Sequence, residues 1–268
     1  MIIVFEKILF FNFIFCIFAK NVKMELKILV TSDLHGNMPY IATPFDLLLI
    51  CGDICPAHDH YFNYQIGWFQ HEFSKWINTL PFKDENSKVV FIAGNHDFFG
   101  ERIQKEHLDV FNVETQNRCV YLKNTGYNYE YTSDNGLETL SIFGTPYCKI
   151  FGSWAFMVSD KTLEKKYKQI PDNVDILISH DSPTLNELGF IHSGCNAGTE
   201  AGNKVLDKYI VEKKPKYFFS GHIHSGNHAF KKIGDTYMAN VSYINENYTP
   251  FYPILEFTLN GETKELVV

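Results

Sequence analysis

Five short apolar runs, each followed directly by polar residues, constrain the fold of this chain more than any other feature. The runs span residues 28–30, 47–50, 89–93, 176–178 and 217–220. An uninterrupted apolar run, without alternation of polar and apolar side chains, is typical of a strand buried on both faces of its sheet. Helical patterns occupy stretches between the runs, so we predict an α/β layered fold.

The helical patterns and a second group of strands complete this outline. Helical periodicity covers residues 61–80, 163–169 and 202–213. Pro171 follows the second of these stretches and is a typical stop signal for a helix. Further strand patterns, with turn-forming residues nearby, cover residues 139–143, 236–241 and 254–259. The chain contains no internal repeat and no linker, so we predict one domain.

The first residues of the chain differ from the rest, because residues 8–19 are almost wholly apolar. This stretch has the length of a signal-peptide core and is short for a membrane span. Three interpretations remain open: an extension outside the functional protein, a signal or membrane anchor, and a packed first helix. Since Met24 stands directly before the first predicted strand, we predict a hydrophobic extension over residues 1–23 and a folded domain over residues 24–268.

Charge and cysteine usage narrow the class of protein. The formal net charge of −7 excludes a global basic field of the kind that holds a nucleic-acid backbone, and no long lysine cluster offers a local patch. The six cysteines are scattered without a C-x-x-C pair, which indicates free thiols in a reducing compartment. We therefore predict a cytoplasmic protein, or a membrane-anchored one if residues 1–23 act as an anchor. The oligomeric state stays open.

Polar motifs follow the five apolar runs, at the strand ends where ligands gather in open α/β sheets. The motifs are Asp33-Leu34-His35, Gly52-Asp53, Gly94-Asn95-His96-Asp97, Ser179-His180-Asp181 and Gly221-His222-Ile223-His224. In a strand that leads into a loop, residues i and i+2 point to the same side, so each D-x-H or H-x-H pair can reach one site. Carboxylates combined with imidazoles suit Mn, Fe or Zn.

Two such ions can clamp both the attacking and the leaving oxygen of a displacement at phosphorus when they lie about 3.5–4 Å apart. A hydroxide that bridges them is a nucleophile at neutral pH, because bound metal lowers the pKa of water towards about 7. A lone carboxylate between the ions would hold them at this distance. Asp53 is the candidate for that position.

The ordered set D-x-H, G-D, G-N-H-D, H and G-H-x-H resembles the calcineurin-like metallophosphoesterases, over roughly residues 27–243. The resemblance implies a first metal ion held by Asp33, His35 and His224. It implies a second metal ion held by Asn95, His180 and His222, with Asp53 bridging the two. It also implies that His96 contacts the phosphate and assists the leaving group, and that Asp97 orients His96.

A narrower resemblance rests on Gly144-Thr145-Pro146-Tyr147 and on Trp154-Ala155-Phe156. These stretches are similar to the small metallophosphoesterase-domain-containing proteins, which are similar in turn to class III cyclic nucleotide phosphodiesterases. The implied fold is a four-layer α/β/β/α sandwich of two mixed sheets. One departure is informative: residues 54–58 follow Gly52-Asp53 where Ser/Thr phosphoprotein phosphatases have Tyr-Val-Asp-Arg-Gly. The substrate-binding arginine of those enzymes is therefore missing.

Together these features predict a metal-dependent phosphoric ester hydrolase that cleaves phosphodiesters, with cyclic nucleotides suggested by the narrower resemblance. A metal-bridging hydroxide attacks phosphorus, His96 assists the leaving group, and Mn²⁺ is the favoured metal. The alternatives are a nucleotide-binding regulator with little turnover, and a phosphomonoesterase or nuclease that uses the same site. The expected partner is a small phosphoester, such as a nucleotide, and membrane contact is expected only through residues 1–23.

Three further features receive weaker assignments. Residues 58–60, the His-Asp-His cluster after Asp53, are expected in an exposed loop, with contact to substrate at the pocket rim as the alternative. The loop that holds residues 192–196 is a candidate lining of the pocket. Trp154 and Phe156 are expected to pack in the interior, with base stacking as the alternative.

Overall fold

Two β-sheets lie face to face in the computed structural model, which describes residues 24–267. The expectations for residues 1–23 lie outside the described residues. Within the described range, no helix combines the length and the apolar character that crossing a membrane requires. The strands, in chain order, are β1 Glu25–Thr31, β2 Leu47–Cys51, β3 Lys88–Ile92, β4 Cys119–Tyr121, β5 Thr125–Ser133, β6 Gly136–Thr145, β7 Cys148–Lys149, β8 Met157–Val158, β9 Ile176–Ser179, β10 Phe190–Ile191, β11 Thr199–Glu200, β12 Tyr217–Ser220, β13 Lys231–Ile233, β14 Thr236–Asn240 and β15 Leu255–Asn260.

The α-helices are α1 Phe62–Trp68, α2 Ser74–Ile77, α3 Phe98–Arg102, α4 Lys105–Glu114, α5 Asp160–Tyr167 and α6 Lys204–Lys213. A π-helical turn, Phe69–Phe73, joins α1 to α2, and a 3₁₀ turn spans Leu185–Glu187. The three predicted helical stretches therefore contain helices, and the first of them is divided by the π-turn.

The first sheet has the strand order β15-β1-β2-β3-β4 and the second has the order β13-β14-β12-β9-β6-β5. β1 to β4 are parallel, and β15 runs antiparallel to β1. In the second sheet β14, β12, β9 and β6 are parallel, while β13 and β5 are antiparallel edges. Both sheets are thus mixed, as expected. Two small ladders, β7–β8 and β10–β11, lie outside them.

The grouping of the strands differs from the prediction in one respect. We expected the strand patterns at 139–143, 236–241 and 254–259 to form a second group of their own. β6 and β14 instead flank β9 and β12, whereas β15 pairs with β1 in the first sheet. Strand pairing is decided by contacts between distant segments, such as Ile28 opposite Phe257, and these contacts leave no local pattern in the sequence.

Successive side chains of each central strand lie on opposite faces of its sheet and therefore pack in different hydrophobic cores. This packing on both faces of each sheet gives the fold its four layers. In β2, Leu49 faces the core between the two sheets, whereas Leu48 and Ile50 face the core shared with α1, α2 and α4. In β12, Phe219 faces the core between the sheets and Phe218 faces α5 and α6. Both faces of these strands are buried, which explains why their sequences are uninterrupted apolar runs. The result is the expected α/β/β/α sandwich.

Candidate dinuclear metal centre

The loops that follow β1, β2 and β12 are joined at one edge of the sandwich by hydrogen bonds from backbone N–H groups. Asp33 N donates to the Gly52 carbonyl at 2.9 Å, and His35 N donates to the Asp53 carbonyl at 2.9 Å. His222 N, from the second sheet, donates to both carboxylate oxygens of Asp33 at 3.1 and 3.0 Å. The site therefore forms where strand ends of both sheets meet.

Four of the candidate ligands adopt left-handed backbone conformations. The φ angles are 54° at Asp33, 43° at His35, 51° at Asp53 and 68° at His222. Such angles are uncommon for residues other than glycine and tend to cluster at functional sites. The argument from strand alternation is therefore wrong for these pairs, because the side chains project from tight turns after the strands have ended.

The first group of ligands is compact. Asp33, His35 and His224 each offer a ligand atom, and these atoms lie within 4.8 Å of one another. His224 Nε2 lies 3.6 Å from Asp33 Oδ1, and His224 Nδ1 donates to the Asn245 carbonyl at 3.2 Å. The hydrogen bond to Asn245 fixes the tautomer whose Nε2 lone pair faces the site.

A second group surrounds His180. Its Nδ1 donates to the Cys51 carbonyl at 2.9 Å, which turns Nε2 towards Asn95 Oδ1, also at 2.9 Å. The His222 ring lies edge-on to the His180 ring, with 5.1 Å between centroids. His222 thus lies next to His180 in the second group, whereas His224 lies next to Asp33 and His35 in the first.

Asp53 lies between the two groups. Its Oδ2 is 3.4 Å from His35 Nε2 in the first group and 3.4 Å from His180 Nε2 in the second. Its Oδ1 accepts a hydrogen bond from His96 N at 2.7 Å, which holds the carboxylate in place. One oxygen atom therefore faces both groups, a position suited to a bridging ligand.

The protonation chemistry of the site fits bound cations. Burial lowers the pKa of His35 to about 4 and that of His222 to about 3, so both imidazoles are neutral at neutral pH. Both ring nitrogens of His35 are buried without a hydrogen-bond partner among residues 24–267. The Asp33 and Asp53 carboxylates are also buried. Buried charges and unpaired polar atoms are costly unless they are paired or coordinate metal.

His180 and Asp53 depend on each other electrostatically. Burial disfavours the charged form of His180, but the Asp53 carboxylate outweighs this effect and raises the pKa of His180 to about 10. Burial likewise disfavours ionised Asp53, yet the charge of His180 holds the pKa of Asp53 well below its usual range. A cation at this position would take the place of the imidazolium proton as the partner of the carboxylate.

Two glycines make room for the site. Gly52 has a φ of +98°, and a Cβ there would lie 2.6 Å from His180 Nδ1. A Cβ on Gly94 would collide with Asp53 Oδ1 and would lie 2.6 Å from His180 Cε1. The glycines of the Gly-Asp and Gly-Asn-His-Asp motifs are thus required by the close approach of the ligands.

The structure corrects the role that we expected for Asp97. Its carboxylate accepts hydrogen bonds from the backbone N–H groups of Ile54, Cys55 and Gly94, at 2.8 to 3.1 Å. No hydrogen bond joins it to His96 in the described part of the chain. Asp97 therefore holds the loops after β2 and β3 together. The partner of His96 Nδ1 is His60 Nε2, at 3.1 Å.

A cavity of about 570 Å³ opens over the site, lined by Asp53, Asn95, His96, Lys149, Phe151, Trp154, Ile191, Asn196, Thr199, Glu200, Ala201, His222, Ile223, His224, Glu246 and Tyr248. Asn196 lines it, as considered for its loop, and Phe156 is buried as expected. Trp154, in contrast, is half-buried against the cavity, with its ring centroid 4.4 Å from that of His96.

The predictions from sequence undervalued two residues beside the candidate site and missed a third. The first two are His60 and Trp154, and the third is Tyr248, whose ring lies 4.9 Å from His35. The His-Asp-His cluster directly after Asp53 was the available signal for His60. No local signal marks Tyr248, because a distant loop brings it to the site.

Comparison with known proteins identifies the family and the fold. Residues 26–226 match the family described as calcineurin-like phosphoesterase. Metallophosphoesterase domain-containing protein 1 of Homo sapiens is 26% identical over 245 residues, which cover 83% of this chain and 67% of that protein. A UPF0046 protein of Caenorhabditis elegans is 28% identical over 246 residues, which cover 87% and 80%.

Solved structures share the architecture. The crystal structure of a Thermus thermophilus protein, TT1561, aligns with a TM-score of 0.51 at 12% identity, covering 91% of this chain and 98% of that one. A further crystal structure aligns with a TM-score of 0.58 at 14% identity and the same coverage. At these identities the likeness establishes a common fold.

Proposed function

The chain belongs to the calcineurin-like phosphoesterase family and is a metal-dependent phosphoric ester hydrolase, and we propose that it cleaves phosphodiesters, among them cyclic nucleotides. Two metal ions occupy the centre in this proposal. Asp33, His35 and His224 hold the first ion, Asn95, His180 and His222 hold the second, and Asp53 bridges them. Donors that combine carboxylates with imidazoles suit Mn, Fe or Zn, and among these we favour Mn²⁺.

The main support for two metal ions is the position of Asp53 Oδ2, which lies 3.4 Å from an imidazole nitrogen in each group. Two bound cations supply positive charge for the phosphate oxygens and lower the pKa of water enough to yield a nucleophile near neutral pH. His96 lines the same cavity and no protein group within residues 24–267 hydrogen-bonds its Nε2. We therefore propose that His96 donates a proton to the departing alkoxide.

The cavity supports a substrate with two organic groups on phosphorus. Its volume of about 570 Å³ lies within the range of small-molecule sites and exceeds what a phosphate group fills. Phe151 and Trp154 offer aromatic faces, while Asn196 and Glu200 offer polar groups. Aromatic side chains stack on nucleobases, and polar side chains fix ring edges and sugar hydroxyls. These features favour nucleotide diesters.

A panel of phosphate mono-, di- and cyclic esters, assayed with Mn²⁺, Fe²⁺, Zn²⁺ and Mg²⁺, tests this function. We expect the highest kcat/KM for diesters with Mn²⁺ and loss of metal-dependent turnover in Asp53→Ala. Asp109→Asn, an exposed change outside the site, is the matched control and should retain full activity. Turnover confined to monoesters would contradict the diester assignment. Tight nucleotide binding without turnover would favour the regulatory alternative.

A further inference from the structure

His60 lies against His96, which lines the cavity. Its Nε2 is 3.1 Å from His96 Nδ1, within hydrogen-bond distance. The Trp154 ring borders both imidazoles, with centroid distances of 4.4 Å to His96 and 5.1 Å to His60. Phe98 flanks His60 on another side, at 5.4 Å. The pair is therefore held between aromatic side chains and does not project freely into solvent.

A buried glutamine fixes the two loops that carry this pair. Gln65, in α1, is fully buried, and its Nε2 donates to the His96 carbonyl at 2.7 Å and to the Asp59 carbonyl at 3.2 Å. Its Oε1 accepts a hydrogen bond from Phe99 N at 3.0 Å. One side chain thus ties the backbone next to His60 to the backbone of His96, so the contact between the two rings is built into the fold.

The surrounding hydrogen bonds indicate which of the two imidazoles donates in this contact. Among residues 24–267 the Asp97 carboxylate accepts hydrogen bonds only from backbone N–H groups and none from His96, so it is not the group that orients the imidazole of His96. An imidazole that delivers a proton from Nε2 keeps a proton on Nδ1, which needs an acceptor. His60 Nε2 is that acceptor when its own proton sits on Nδ1. Burial and the neighbouring His96 lower the pKa of His60, which favours this neutral form.

We propose that His60 is a positioning residue that accepts a hydrogen bond from His96 Nδ1 and so directs His96 Nε2 at the leaving oxygen. The inference rests on the proposed role of His96. The proton that reaches the leaving alkoxide comes from His96 Nε2, and His60 neither gains nor loses a proton in the step. The contribution of His60 should therefore grow as the leaving group becomes poorer.

The test compares kcat for a series of phosphodiesters with leaving groups from nitrophenol to alkyl alcohol. His60→Ala should lower kcat for alkyl leaving groups by about 10- to 100-fold, a part of the roughly 10²- to 10⁴-fold that a positioned general acid contributes. The loss should be much smaller for nitrophenol, which departs without a proton, and KM and bound metal should be unchanged.

His60→Gln places an amide oxygen near the position of Nε2 and should restore part of the activity. His58→Gln is the matched control, since His58 bonds only to Tyr64 in the described range and does not line the cavity.

A double-mutant cycle separates this inference from the proposed function. If the pair acts as a unit, adding His60→Ala to His96→Ala should cause no further loss. A loss in His60→Ala that is equal for all leaving groups, or additive with that of His96→Ala, overturns the inference while the role of His96 stands. If His96→Ala itself shows no dependence on the leaving group, the proposed role of His96 fails and the inference about His60 fails with it.

Discussion

At the scale of single residues, the division of the Gly-His-x-His motif determines how the centre is built. Both histidines leave the same turn, yet His222 stands beside His180 and His224 lies 3.6 Å from Asp33. The left-handed backbone at His222 rotates its side chain away from that of its neighbour. One motif therefore contributes to both groups of candidate ligands, and the proposed bridge through Asp53 joins them.

This division predicts the metal content of two variants. His224→Ala should weaken the first site while the second stays occupied, and His222→Ala should do the reverse. Each purified variant should then carry close to one metal ion per chain, measured by inductively coupled plasma mass spectrometry. His71→Ala, an exposed change on the π-turn, should keep two ions. Loss of both ions from His224→Ala alone would contradict the separate assignment.

Residue types at the site were predictable, but their hydrogen-bond partners were not. The motifs singled out every candidate ligand, because carboxylates and imidazoles stood together at predicted strand ends. The interpretation of Asp97 was wrong because its oxygens accept hydrogen bonds from backbone N–H groups of the loops after β2 and β3, and such contacts with the backbone leave no mark in the sequence. The role of His60 was not predictable either, because its contact with His96 depends on Gln65, which lies in another element.

At the scale of secondary-structure elements, the ends of strands and the glycines after them shape the centre. The five apolar runs became β1, β2, β3, β9 and β12, as predicted. Their distribution over two sheets was not predictable from the runs, because each reads as a strand buried on both faces whichever sheet it joins. The glycine that follows β3 in the Gly-Asn-His-Asp motif lets that loop approach the loop after β2 closely.

A pair of glycine variants tests this requirement. In Gly94→Ala the added methyl group collides with Asp53, so we expect loss of bound metal and of activity. Gly67→Ala is the matched control, because a Cβ at this position in α1 meets nothing within 4 Å. It should raise the free energy of unfolding by about 0.5–1 kcal/mol, as expected for this change within a helix. Metal analysis and denaturant unfolding measure both effects, and a fully active, metal-loaded Gly94→Ala would refute the steric argument.

At the scale of the whole molecule, the centre joins the two sheets. Asp33 and Asp53 follow strands of the first sheet, whereas His180 and His222 follow strands of the second. The four-layer sandwich brings the ends of parallel strands from both sheets to one edge, and this explains why candidate ligands so distant in sequence meet there. Bound metal should therefore stabilise the contact between the sheets as well as support catalysis.

Removal of metal should destabilise the protein. A ligand that binds only the native state at 100 times its Kd adds about 2.7 kcal/mol to the free energy of unfolding. We therefore expect chelation to lower Tm in calorimetry and excess Mn²⁺ to restore it. Asp53→Asn, which lacks the bridging charge, should show little response to either treatment. An unchanged Tm in the chelated parent protein would contradict a link between the centre and the fold.

The most direct test of the account is to locate the metal ions by anomalous X-ray scattering at the Mn edge, in crystals of the Mn²⁺-loaded protein. We predict two peaks about 3.5–4 Å apart, the spacing of two-metal phosphoryl-transfer sites, with Asp53 Oδ2 in contact with both. A single peak, or a second ion held without Asp53, would contradict the proposal of a dinuclear centre bridged by this carboxylate.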